Sequence, residues 1–203
     1  MALVIPGHPN PAPQEVSLSE ISEVLGDCKL CPLWETRNNI VFGQGNPNAR
    51  VLIIGEAPGK QEDLQGQPFV GTSGKNFDLL LDKAGLSRDL VYITNVLKCR
   101  PPSNRDPRVG EMQTCAPFLR EQIRSIWPDV IVCLGNFSAR FVLHTERGMT
   151  NLRGQFYKVG HFTVMPTFHP AAACYRKQWQ ELMEEDFTML GEWLKENPSK
   201  KEL

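Results

Sequence analysis

Four cysteines stand out in this chain of 203 residues as groups that could hold or perform chemistry. Cys28 and Cys31 form a CxxC pair, CKLC, and Cys99 and Cys115 follow with 15 residues between them. A bare CxxC is compatible with zinc, iron–sulfur or thiol redox chemistry. A redox pair is expected between a strand and a helix of a thioredoxin-like unit, whereas this pair precedes the first strand-like run. Zinc sites made of cysteine usually join two tight knuckles, and the second pair here is wide. Four soft thiolates also suit a [4Fe–4S] cluster, one cysteine per iron. Spacing alone leaves iron against zinc open. Cys133, inside an apolar run, reads as a small core residue, and Cys174 as a loop contact.

A second group carries oxygen, nitrogen and aromatic chemistry. The stretch GEAPGKQEDLQGQPFVG (55–71) brings Glu56, Glu62, Asp63 and Phe69. It lacks the Gly-Lys-Ser/Thr ending of a phosphate loop and the GxGxxG spacing of a dinucleotide site, which argues against nucleotide chemistry. Asn95 closes an apolar run. Its amide donates and accepts together, matching the N3 and O4 edge of a pyrimidine base, although a lone Asn at a strand end also serves as a turn cap. His169-Pro170 follows another apolar run, where an imidazole could donate a hydrogen bond to a developing oxyanion or serve only as a satisfied structural side chain.

Alternating strands and helices must position these groups. Leu18 to Leu25 has the spacing of a short helix that delivers the chain to the CxxC pair. Strands are expected at 51–54, 91–95, 129–135, 155–159 and 162–165, with 55–71 as a long Gly/Pro loop. Helices are expected over about 74–84, capped by Thr72 or Ser73, over 108–126 with Pro128 as the stop, from Asn136 to about His144, and over 177–195. Near-continuous apolar strands alternating with amphipathic helices predict an α/β fold, a parallel sheet covered on both faces. Functional loops then gather at the carboxyl ends of the strands, and 55–71, 95–105 and 166–176 are placed there. Residues 1–17, with Pro6, Pro9, Pro11 and Pro13, read as a flexible tail, and 18–203 as one domain.

Charge and hydropathy narrow the class. The chain has 22 Lys+Arg against 23 Asp+Glu, a net charge of −1, which excludes a uniformly basic nucleic-acid binder. The balance is uneven: residues 1–27 hold four acids and no Lys or Arg, whereas 140–180 hold six Lys/Arg against Glu146 alone. A polyanion is drawn to the middle of the chain. No apolar run approaches the roughly 20 residues of a membrane span, and no signal-peptide pattern opens the chain. A soluble, cytoplasmic protein without membrane attachment is expected.

Taken together, CKLC (28–31), GEAPGKQEDLQGQPFVGTSG (55–74), YITNVLKCRPPSNRDP (92–107), EMQTC (111–115) and FHPAAACYR (168–176) resemble the type 4 iron–sulfur uracil-DNA glycosylases. The likeness spans about residues 22–193. It implies a three-layer α/β/α sandwich with a central parallel sheet of about four strands. It also implies a structural [4Fe–4S] cluster on Cys28, Cys31, Cys99 and Cys115, with no dissociable metal required for catalysis. Cys99 and Cys115 bracket Arg100, Arg105 and Arg108, so the ligated loop is expected to order a basic surface facing DNA.

The activity implied is hydrolysis of the N-glycosidic bond of uracil in DNA, single- or double-stranded, by a monomeric enzyme that starts base excision repair. Phe69 then stacks on the extruded base, Asn95 reads its N3 and O4 edge, and Glu62 crowds C5 against thymine. His169 donates to uracil O2, backbone N–H groups near Glu56 and Ala57 add donors, and Glu56 positions the attacking water. Ala57 stands where the related type 1 enzymes have an aspartate handling that water. Arg176, with His169-Pro170, is the candidate wedge entering the duplex. No lysine occupies a nucleophile position, which favours hydrolysis without strand cleavage. A binding module without catalysis, or a glycosylase with wider base scope, are the competing readings, and a panel of lesions separates them.

Overall fold

A computed structural model describes residues 15–174 and 176–199. Its elements are α1 (Leu18–Leu25), β1 (Gln44–Gly45), β2 (Val51–Gly55), α2 (Lys60–Gln65), α3 (Thr72–Lys83), β3 (Val91–Asn95), α4 (Val109–Ile126), β4 (Val130–Leu134), α5 (Asn136–Leu143), α6 (Met149–Leu152), β5 (Tyr157–Val159), β6 (Phe162–Thr167) and α7 (Lys177–Glu196). The sheet runs in the order β1-β3-β2-β4-β6-β5. β3, β2, β4 and β6 are mutually parallel, as expected for about four central strands, and β1 and β5 add antiparallel edges.

β2, β3 and β4 are buried along their whole length, and β6 at all but its first residue, because both faces are covered. Successive residues alternate between two cores. Val51 and Ile53 join Phe77, Leu80 and Leu81 of α3 and Met183, Phe187 and Leu190 of α7. Leu52 and Ile54 face Leu119 of α4, Ala139 of α5 and Met149 and Leu152 of α6. The result is the expected three-layer α/β/α sandwich. A third, smaller core packs Ile21 and Leu25 of α1 on Phe118.

Several boundaries differ from the sequence expectation for physical reasons. α3 starts at Thr72 with Gly71 as its cap, and neither Thr72 nor Ser73 caps it. The loop 55–71 contains α2, closed by Gly66 in the left-handed conformation (φ 71°). Of the expected tail, 1–14 lie outside the described residues. Val16 is buried against α1 and α4, and Ser17 caps α1 in a reciprocal box with Glu20.

The strand order places β2 at a reversal, with β3 on one side and β4 on the other. Ligand crevices form outside the carboxyl ends of strands at such a switch point. One buried network stabilises the last strand's end. The Asp186 carboxylate of α7, fully buried, accepts from Thr167 Oγ1 at 2.5 Å and from Arg153 Nη2 at 2.6 Å, tying α7 to the residues just before His169.

Candidate active site and cysteine corner

A cavity of about 340 Å³ opens at the carboxyl ends of β2, β3 and β6. Glu56, Ala57, Glu62, Phe69, Asn95 and His169 all line it, joined by Ser73, Asn104 and Arg105. The loop convergence expected from topology is therefore observed.

Asn95 is the last residue of β3 and is buried. Its carbonyl accepts from Lys98 Nζ at 2.7 Å, and the same buried ammonium donates to Thr94 Oγ1 at 2.6 Å and Gln122 Oε1 at 2.6 Å. Gly55 faces the Asn95 amide: a Cβ there would lie 2.3 Å from Asn95 Oδ1 and 3.0 Å from Phe69 Cζ. The absence of a side chain at Gly55 is what lets Asn95 and Phe69 approach the same strand end.

Phe69 is buried and holds a left-handed backbone (φ 53°). Its ring lies 4.9 Å from that of Phe77 and 5.6 Å from that of His169. Glu62 turns its carboxylate back to the chain, with Oε1 accepting from the N–H groups of Val70 at 3.0 Å and Gly71 at 2.9 Å. That contact fixes the turn leading into α3, whose cap Gly71 offers no side chain. Asp63 is fully buried and accepts from Asn38 N at 2.9 Å, so the two acids of α2 tie separate segments together.

His169 is pushed down to about 4 by burial, against a smaller opposing influence of Glu62, so the ring is neutral at pH 7. Ala171 N–H donates to its Nδ1 at 3.2 Å, which leaves the proton on Nε2 as a donor. Glu56 is pushed up to about 7 by burial, with Asp106 adding to the rise. It therefore exchanges its proton near neutrality, the range in which a carboxylate best serves proton transfer. Asp106, within the SNRDP stretch, was not singled out from the sequence.

Arg176 does not line the cavity. It is exposed at the start of α7, its guanidinium 5.1 Å from the ring of Trp179. Tyr175 and the Cys174 side chain lie outside the described residues. Of the expected basic surface, Arg105 lines the cavity and forms a two-pronged pair with Glu111 at 2.5 and 3.0 Å, and Arg100 donates to Asn104 Oδ1 at 2.7 Å. Glu111 also accepts from Arg108 N at 2.8 Å, which organises the segment 105–111.

The cysteines gather in a neighbouring corner. Cys31, Cys99 and Cys115 share an apolar cluster with Leu33, Leu97 and Met112, and Ala57 of the cavity wall packs into it. Burial raises all three thiols, Cys99 to about 11, and neighbouring cysteines, Cys28 among them, add to the rise. The four sulfurs are thus within electrostatic reach of one another. Arg37 donates to Cys28 O at 2.6 Å and to Cys99 Sγ at 3.5 Å, binding the two sequence-distant halves. Among the described residues no group of His, Cys, Asp or Glu closes tightly enough for a single ion. Four thiols around an apolar corner are a donor set of the kind an iron–sulfur cluster takes, one cysteine per iron, and the guanidinium of Arg37 beside them suits its negative charge. Cys133 is fully buried in β4, as read from the sequence.

Sequence comparison gives this geometry its relatives. The family model described as the uracil DNA glycosylase superfamily matches residues 42–195. A type-4 uracil-DNA glycosylase of Archaeoglobus fulgidus is 44% identical over 87% of this chain and 92% of that protein. One of Sulfurisphaera tokodaii is 43% identical over 87% of this chain and 84% of its own length. Another, of Thermotoga maritima, is 42% identical over 78% of this chain and 83% of its own. With its sheet, its cavity and its cysteine corner in place, the chain belongs to the uracil DNA glycosylase superfamily and, within it, to the type-4 uracil-DNA glycosylases.

Proposed function

We propose that this uracil-DNA glycosylase is a monofunctional hydrolase that extrudes uracil from DNA, cleaves its N-glycosidic bond and leaves an abasic site. The observation that carries the reading is the convergence of Glu56, Asn95 and His169, from three different strand ends, on one cavity. A base inside a duplex is out of reach until its nucleotide is flipped, so the enzyme must supply a pocket that repays the lost stacking. Phe69 supplies an aromatic face. Asn95 offers a donor for O4 and an acceptor for the N3 hydrogen. Cytosine reverses both groups, and the resulting mismatch in a dry pocket costs about 1–3 kcal/mol. Glu62 and the turn it holds stand against the C5 methyl of thymine.

Bond cleavage leaves negative charge on the departing base and cationic character on the sugar. Neutral His169, with its Nε2 proton free, donates to uracil O2 as that charge develops, a contact that strengthens toward the transition state. Backbone donors near Glu56 and Ala57 assist. Glu56, in its ionised form, orients the attacking water and favours the sugar cation. Because no lysine serves as nucleophile, the product is an intact strand with an abasic site.

Cys28, Cys31, Cys99 and Cys115 would hold a [4Fe–4S] cluster, which supplies a structural cross-link when bound. Its neighbour Ala57 belongs to the cavity wall, so the cysteine corner braces the turn that carries Glu56. Arg176 belongs to the rim that meets the strand and fills the vacated space. In this reading residues 18–203 act as one domain, the enzyme is a cytoplasmic monomer, it takes single- or double-stranded DNA, and no dissociable metal enters catalysis. Among the described residues no helix is long and apolar enough to cross a membrane.

Base release from matched oligonucleotides carrying one uracil, one thymine or one hypoxanthine, with EDTA present and abasic sites revealed by alkali, tests the proposal. Release confined to uracil supports it. Release of hypoxanthine alone redraws the role of Asn95, and no release by cluster-loaded protein overturns the catalytic reading.

A further inference from the structure

Phe69 adopts a backbone conformation (φ 53°) that an aromatic residue keeps only when its surroundings fix it. Three contacts do so. Arg88, 19 positions along the chain, donates from Nη2 to Phe69 O at 2.6 Å and from Nη1 to Pro68 O at 3.3 Å. Glu62 holds the following amides, Val70 and Gly71. Gly74 allows the closest approach, since a Cβ there would fall 2.0 Å from Phe69 O. The guanidinium of Arg88 also backs the ring series. It lies 5.7 Å from Phe77, which is 4.9 Å from Phe69, which in turn is 5.6 Å from His169.

We propose that Arg88 is a positioning residue for base recognition: its planar fork grips two successive carbonyls and sets the plane of the Phe69 ring against which uracil stacks. This rests on the reading of Phe69 as the stacking surface. Arg88 is not among the residues lining the cavity, so it acts through Phe69. Its Nε donates to Asp78 Oδ1 at 2.6 Å, so each of its three nitrogens already has a partner within the protein. That makes it a poor phosphate ligand. A lysine would keep the charge but lose the fork, because one ammonium cannot reproduce two parallel donors and the Asp78 contact at once.

The test compares Arg88→Met, Arg88→Lys, Asp78→Asn and Phe69→Ala in the full, cluster-loaded protein. Four quantities are read: inhibition by free uracil, single-turnover base release, affinity for abasic-site DNA with its salt dependence, and thermal melting. Both Arg88 variants should weaken uracil inhibition and slow base release about ten-fold, the scale of a lost charge-assisted hydrogen bond. Their affinity for abasic-site DNA should stay within about two-fold with the same salt slope, and Asp78→Asn should behave as the parent. Arg88→Lys retains the charge beside Asp78 and carries the test if Arg88→Met does not fold. Parental uracil inhibition in the Arg88 variants, full rescue by lysine, or a loss confined to DNA affinity with a shallower salt slope would each overturn the proposal. Phe69→Ala separates the two levels. If it keeps parental uracil inhibition, the stacking reading fails; if it loses it while Arg88 variants do not, only the role of Arg88 fails.

Discussion

The base pocket and the cysteine corner share a wall at Ala57, yet they are secured by different means. Phe69, Asn95 and His169, the cavity residues to which base recognition is assigned in the proposal, each have their own polar support from the chain. Phe69 is gripped through its carbonyl, Asn95 through its carbonyl by Lys98, and His169 through the Ala171 amide. The cysteine corner has apolar packing, the guanidinium of Arg37 and the thiols of Cys31, Cys99 and Cys115, which burial pushes up. Hydrogen bonds within the polypeptide fix Phe69, Asn95 and His169, whereas the corner would be completed by the proposed cluster. Preorganised donors cost no rearrangement when charge develops. A cross-link between distant segments acts chiefly on the unfolded chain.

Substitutions at the two sites should therefore fail in different ways. Cys99→Ser removes one of the four proposed ligands; loss of the cluster with it would open a cross-link between segments about 70 residues apart, and stability should then fall by on the order of 4 kcal/mol, the loop-closure value for that span. Denaturant melting checks this, and the surviving folded fraction should retain its uracil preference. His169→Ala should instead leave melting nearly unchanged and slow single-turnover base release about 10²–10³-fold, as for the loss of one oxyanion donor. Asn95→Asp should slow uracil release about 10–100-fold, because an ionised carboxylate has no donor for O4. Unchanged kinetics would remove Asn95 from recognition. Arg176→Ala, at the exposed start of α7, should weaken DNA binding about three- to ten-fold without changing the uracil-over-thymine ratio. A parallel loss of discrimination would place that side chain at the base.

Elements and residues differed in how openly the sequence announced them. β2 and β4 are near-continuous apolar runs and β3 is one up to Thr94, and burial on both faces is the reason, so they could be read directly. β1, two residues long, and α6, four residues long, leave no periodicity to read. α2 hides between Gly59 and Gly66, in a stretch whose glycines and prolines signal only a loop. α3 starts earlier than its hydroxyls suggest, because the turn before it is held by Glu62 from eight and nine positions away and Gly71 takes the cap position. That Glu56, Asn95 and His169 share one cavity was legible because each ends an apolar strand or lies within two residues of its end. Arg88, Lys98, Asp106 and Asp186 were not, since their meaning lies in partners that only the fold brings near. Asp186 meets Arg153 across 33 positions, with nothing in either local sequence to mark the pair.

The claim that the pocket is poised without rearrangement is tested most directly by the pH dependence of single-turnover base release, measured for the parent and for Glu56→Gln. In the proposed mechanism Glu56, pushed up to about 7 by burial, acts in its ionised form, so the parent rate should rise with pH through that range and then level. His169, neutral above about 4, should add no further step between pH 5 and 9. Glu56→Gln should be slow and flat across the same range. The same rising limb in Glu56→Gln, or a parent rate that falls as pH rises past 7, would contradict the account.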